Sequence, residues 1–180
     1  KGSPRLGVLD RPEGKKNWIV LDDQGQSHTV HPRTFAFQFD RASFEPDDLK
    51  ALRTEAENYI DPSSLEVAWE LLGETGESAD PAALALLLFS DQGAAFCYAA
   101  HCMLSADKVY FKQKGDRYEP RSASQVQEIL HQLEKEQQRQ VEWEGFMSRA
   151  RQRLAGESVE WDKSDRPRLE ILEKLALLGD

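Results

Sequence analysis

Cysteine is nearly absent: Cys97 and Cys102 are the only two in 180 residues. They lie five apart in a run that reads as helix, so they point about 140° from each other and do not bridge readily. Neither belongs to a C-x-x-C or C-x-x-H pair, which excludes a structural zinc site of the usual spacing. Both read as small buried residues of a reducing, cytoplasmic protein. A long apolar run is also missing. The best, Ala82 to Phe89, has about eight residues against the ~20 of a membrane span. The start, KGSPRLGVLD, has no apolar h-region, so no signal peptide is expected. No G-x-S-x-G, P-loop or G-x-G-x-x-G motif occurs. The four histidines, His28, His31, His101 and His131, form no set with Cys, Asp or Glu at metal-ligand spacing. The acidic doublets Asp22-Asp23 and Asp47-Asp48 fall where a turn and a helix cap belong. Nothing in this inventory predicts catalysis by this segment or a metal within it.

Net positive charge is lacking as well. The total is −9, which argues against simple non-specific nucleic-acid binding. The distribution says more. Residues 1–34 carry a net +2 and residues 104–121 another +2, whereas residues 35–103 carry −10 and residues 122–180 carry −3. The β-rich parts are mildly basic and the helical parts acidic. Charged residues make up 31%, hydrophobic ones 39%, and mean hydropathy is −0.64, the profile of a water-soluble chain.

What is present is order. Residues 1–40 read as a small SH3-like β-barrel. Short apolar strands at Leu6–Leu9, Trp18–Leu21, His28–Val30 and Phe35–Phe39 are separated by turn signals such as Pro12-Glu13-Gly14 and Asp22-Asp23-Gln24-Gly25. Phe35, Phe37 and Phe39 alternate, which predicts one buried strand face. Lys15, Lys16 and Trp18 stand at a loop-to-strand junction. They suit phosphate contact with base stacking, or, more plainly, a solvated turn beside a core Trp.

Residues 41–60 read as an acidic linker helix, capped by Asp47, that connects to the next domain or packs on it. Residues 61–122 have the order of a winged helix. Asp61-Pro62 and Asp80-Pro81 each place a capping Asp before a Pro at the first helical position. The core faces are predicted as Leu65, Ala68, Trp69 and Leu72, with Gly73 as the stop, then Leu84, Leu87 and Leu88. A third helix follows, with Ala95, Tyr98, Ala99 and Cys102 on one face. Its polar residues are too few to read bases. Strands around Tyr110 and Tyr118 then flank a turn at Lys114-Gly115-Asp116. This wing carries Lys108, Tyr110, Lys112, Lys114, Arg117, Tyr118 and Arg121, the main candidates for RNA contact.

Residues 123–180 read as a helix of about 45 Å, ended by Gly156, and a last helix from Asp165-Arg166-Pro167 to Gly179. The last helix carries the stripe Leu169, Leu172, Leu175 and Ala176, and the two form an antiparallel hairpin. Trp143, Phe146 and Met147 need a partner that the winged helix is too small to supply. The fold class is α+β.

The strings LGVLDRPEGKKNWIVLDDQGQSHTVHPR, DPSSLEVAWELL, CYAAHCMLS and VYFKQKGDRYEPRSASQVQE carry a resemblance. They resemble the N-terminal, non-catalytic region of ribonuclease II and ribonuclease R-type exoribonucleases of the cyanobacterial and chloroplast branch. The likeness runs from about Leu6 to about Leu178. It implies a parent enzyme that hydrolyses single-stranded RNA from the 3′ end with Mg²⁺ and releases nucleoside monophosphates. It also implies a catalytic domain, beyond Asp180, that docks on the long helix. Members ordinarily begin with cold-shock-type barrels, whereas the strand spacing here reads as SH3-like. No catalytic residue is carried over. Two readings stand: an RNA-gripping region that positions substrate, or a protein-interaction scaffold without nucleic-acid contact.

Overall fold

In the computed structural model, residues 5–39 and 43–178 are described. They fall into two compact units, 1–126 and 127–180.

The first unit opens with an antiparallel meander of β1 (Val8–Glu13), β2 (Asn17–Leu21) and β3 (Ser27–Val30). The register pairs Trp18 with Pro12 on one side and Val30 on the other, and Ile19 with Arg11 and Thr29. A bulge at Asp10 shifts β1 between Leu9 and Arg11. A Cβ on Gly7 would collide with Val20 Cγ1, so only Gly lets the chain enter β1 this close to β2. Residues 14–16 make the first turn, with Gly14 at φ +62°. The second turn is built on Asp22, whose Oδ1 accepts from the amides of Gln24 (3.0 Å) and Gln26 (2.9 Å).

The fourth strand expected over Phe35–Phe39 does not form. A 3₁₀ turn at Pro32–Thr34 intervenes, and the segment beyond it joins no sheet. The period-two alternation survives without the ladder: Phe35, Phe37 and Phe39 are half-buried while Ala36 and Gln38 are exposed. Phe37 and Phe39 meet edge to face at 5.2 Å and pack on the helical core, so helices, not a strand, bury this face.

Four helices follow: α1 (Asp48–Glu57), α2 (Ser64–Thr75), α3 (Pro81–Phe89) and α4 (Ala94–Ala106). α1 is packed rather than free. Leu52 and Ala56 join Ala95, Tyr98 and Ala99 of α4 in one cluster. Asp80 caps α3 as expected, accepting from the Ala83 amide at 2.8 Å with Pro81 at the first position. α2 runs past Gly73 to Thr75 and stops at Gly76, whose φ of +69° supplies the left-handed end. Leu87 is exposed, and Ala85 takes the inward place expected of it.

α4 is the hub. The alanines Ala95, Ala99 and Ala100 let neighbours approach from two sides, and Cys97, Met103 and Leu104 face the α2–α3 core. Cys97 is buried and Cys102 half-buried. Eight of α4's 13 residues are buried, so this helix cannot enter a nucleic-acid groove. The hairpin of β4 (Phe111–Lys114) and β5 (Arg117–Pro120) closes the unit, joined to Ala79 by a bridge to Tyr118.

The second unit contains most of α5 (Ala123–Leu154), a 3₁₀ turn at Lys163–Asp165 and α6 (Arg166–Leu178). Its core sits where α5 meets that turn. Phe146 is buried, 5.8 Å from Trp161 and 6.0 Å from Trp143, with the Arg168 guanidinium 5.8 Å above its ring. Asp165 is fully buried and receives Arg149 Nε at 2.7 Å and Nη2 at 2.9 Å, a fork-to-fork pair. The Arg149 hydrogen bonds hold the Asp165 carboxyl below its usual range. The expected helix hairpin closes only at its base. Leu169 is half-buried, but Ile171, Leu172 and Leu175 are exposed. The expected stop at Gly179 lies outside the described residues.

Candidate nucleic-acid interface

Two antiparallel hairpins carry the basic residues singled out above, and alternation sorts each of them. On the wing the register pairs Lys112 with Glu119, Gln113 with Tyr118, and Lys114 with Arg117. One face therefore holds Phe111, Gln113 and Tyr118, the other Lys112, Lys114, Arg117 and Glu119. Tyr118 and Phe111 are core residues. Tyr118 thus cannot stack on a base, which corrects the reading of the wing as a stacking platform. The signal was available: F-K-Q-K and R-Y-E-P both alternate, which puts Tyr118 on the side of Phe111. Tyr110 is half-buried with its ring 5.7 Å from Trp69; desolvation, then nearby Glu66, raises its hydroxyl pKa.

The wing's charges are largely engaged. Lys114 Nζ is 3.0 Å from Glu119. Arg117 donates through Nε to Ser78 Oγ at 2.6 Å and through Nη2 to the Ser78 carbonyl. No sequence spacing announced that tie, since the partners are 39 residues apart. Arg121 is half-buried, its carbonyl accepts from Trp69 Nε1 at 2.7 Å, and its Nε is buried without a partner. Of the wing's cations only Lys108 and Lys112 are exposed with neither an ion pair nor a side-chain hydrogen bond among the described residues. Asp107 organises the approach to the hairpin, accepting from the amides of Val109, Tyr110 and Phe111.

The first hairpin differs. Lys15 and Lys16 form the tip between β1 and β2, both exposed and without an ion pair among the described residues. Trp18 follows within three residues, half-buried, level with Pro12 and Val30 across the sheet. Its neighbours on the same face are the side chains of Val20 and Leu9, so part of the indole is open on an apolar ground. On the other face Thr29 Oγ1 donates to Glu13 at 2.6 Å.

The remaining titratable groups are structural. His28 Nε2 is 2.7 Å from Asp22 Oδ2, and that bond, with the Gln26 and Gln24 amides, keeps the Asp22 carboxyl below its usual range. His31 Nδ1 accepts from the Arg33 amide at 3.1 Å. His101 is buried in α4 beneath Phe37, and desolvation lowers its pKa. Among the described residues no three His, Cys, Asp or Glu side chains gather into a group that could hold a metal. The Mg²⁺ implied for a parent enzyme finds no ligand set among the described residues. Among the described residues no single helix is long and apolar enough to cross a membrane.

Comparison with known proteins agrees with this layout. A CSD-like barrel domain model matches residues 1–49, where strand spacing alone read as SH3-like. The ribonuclease II winged helix domain matches residues 51–125, so α1 falls largely within it. A double HTH domain model of the same family matches residues 126–180. An uncharacterized ribonuclease of Synechocystis sp. is 54% identical over 180 residues, covering 100% of the chain and 27% of the relative. A chloroplastic/mitochondrial ribonuclease II of Arabidopsis thaliana is 32% identical over 148 residues, covering 79% of the chain and 18% of that protein. The chain thus spans about a quarter or less of the length of these relatives. No solved structure matches.

Proposed function

Because the chain belongs to the ribonuclease II family, as an N-terminal region of such a protein, we propose that it is the substrate-guiding accessory region of a 3′-to-5′ hydrolytic exoribonuclease. It grips single-stranded RNA, and a catalytic domain that the long helix docks supplies Mg²⁺ and the chemistry. The unpaired cysteines suit a reducing compartment such as the cytoplasm. One observation carries the RNA reading: Lys15 and Lys16 stand exposed and unpaired at a hairpin tip, beside a part-open Trp18. A mobile cation neutralises a phosphate, and an indole accepts a base face regardless of sequence. In this reading the wing plays a secondary part through Lys108 and Lys112, with Lys114 and Arg117 engaged by Glu119 and Ser78 and Arg121 half-buried.

The test is single-stranded RNA binding by fluorescence anisotropy across a salt series. Lys15→Glu with Lys16→Glu is expected to weaken binding by roughly tenfold or more, with a salt slope shallower by about 1.4. Lys112→Glu with Lys114→Glu is expected to cost less than about threefold, since only one of the two is unengaged. Undiminished binding by the first variant refutes the proposal; a larger loss in the second moves the grip to the wing.

A further inference from the structure

We propose that the outer face of α2 docks a basic amphipathic helix from a separate protein. Between Thr54 and Asp107 the chain has no Lys or Arg at all, and it has ten Asp and Glu. That stretch supplies α2, α3 and α4, so the helical body of the winged helix is acidic without internal compensation.

α2 has two apolar faces where a surface helix needs one. Leu65 and Ala68 are buried in the core. Val67, Glu70, Leu71 and Glu74 recur at i, i+3, i+4 and i+7, centred about 140° away around the axis. All four are exposed, Val67 at 55% and Leu71 at 47%. Neither glutamate joins an ion pair among the described residues. Leu86 of α3 is open as well, at 52%. Two large apolar side chains alternating with two unpaired carboxylates form a complement to a helix with Leu-type residues along one stripe and Lys or Arg beside it.

Other occupants fit less well. RNA is repelled by α2 itself, which carries Glu66, Glu70 and Glu74 and no Lys or Arg. A permanently covered surface, such as one closed by more of the same polypeptide, is depleted in charge, whereas here two glutamates run directly beside the apolar side chains. A partner that comes and goes suits that composition, and it makes the contact sensitive to salt.

The test uses the complete protein and a fluorescent peptide of about 18 residues, five helical turns, made of Leu and Lys with the leucines on one face. A scrambled peptide of identical composition is the control. The parent is expected to bind the amphipathic peptide roughly tenfold more tightly than the scrambled one, and less tightly at about 0.3 M salt. Val67→Ser with Leu71→Ser, and separately Glu70→Gln with Glu74→Gln, should each lose roughly tenfold, with helical circular dichroism unchanged because all four side chains are exposed. Equal binding of both peptides, or variants that bind like the parent, overturns the proposal. Binding by the 180-residue chain but not by the complete protein also overturns it, since the polypeptide then covers its own face. A dimer of the parent that Leu71→Ser disperses would assign the face to a second copy instead.

Discussion

The β1–β2 hairpin and the wing are built from the same parts and end up doing different things. Each is an antiparallel pair with a tight turn that needs a left-handed glycine, Gly14 at φ +62° and Gly115 at φ +67°. Each carries lysines at or beside the turn and an aromatic residue on the following strand. In the wing the aromatic Tyr118 is pulled into the core and bridged to Ala79, and two of the outer charges, Lys114 and Arg117, are engaged by Glu119 and Ser78. In the β1–β2 hairpin the lysines stay unpaired and Trp18 stays part open. The difference is packing. The wing is a wall of the helical core, whereas the tip of the first hairpin is exposed throughout residues 10–16. A basic, aromatic hairpin is therefore a nucleic-acid surface only if tertiary contacts leave its groups unused.

The comparison makes its largest prediction about stability. Tyr118→Ala should cost about 3–5 kcal/mol, because it empties a buried ring site against Phe111 and the α2–α3 core. Thermal melting would show it, while RNA affinity measured well below the transition should hardly change. If affinity falls with the fold intact, the wing aromatic does touch RNA and the contrast collapses.

Trp18→Ala should show the reverse pattern. Loss of one stacking platform costs roughly 1–3 kcal/mol of RNA binding, read by anisotropy, with a smaller effect on melting than Tyr118→Ala. A large loss of stability with unchanged affinity would make Trp18 a core residue like Tyr118.

The smallest effect concerns acid. Hydrogen bonds from His28 and the Gln26 amide hold Asp22 ionised below its ordinary range, and its unfolded value is about 3.9. A depressed folded value means that the stabilisation is present above the unfolded pKa and lost as pH falls through the folded one. The β2–β3 turn, unlike the wing turn, should therefore weaken below about pH 4. Parent and Asp22→Asn, compared by urea melts between about pH 6 and about pH 2.5, should converge at the acid end. A constant gap across that range would remove the carboxylate from the account of the turn.

Much of this architecture is local and so was legible in the sequence. Asp80-Pro81 announces α3, and Gly115 announces the wing turn, because caps and left-handed turns are decided within four residues. Non-local facts were not legible. The three Phe of 35–39 alternate as a strand would, but a strand needs a neighbour with an open edge, and this segment meets helices. Gly73 looked like a stop, yet it keeps a helical backbone, and the left-handed end falls at Gly76 instead, φ +69°. At the candidate site, Lys15 and Lys16 were found where expected. The occupation of Arg117 by Ser78 could not be read from spacing, and the inward place of Tyr118 could, by parity.

One feature of α5 bears on the molecule's slow motions. From His131 to Val141 every side chain is exposed. This stretch is helix sustained by its own backbone and by pairs such as Gln138 with Glu142 at 3.0 Å. A helical segment of that length is marginal in water, since nucleation is costly and no packing repays it. Its amides accordingly belong at the fast-exchanging end of the hydrogen-exchange spectrum, while those around Phe146 and Asp165 report a separate, rarer opening. Where no partner covers it, this stretch should melt first, while the helix around Phe146 stays folded.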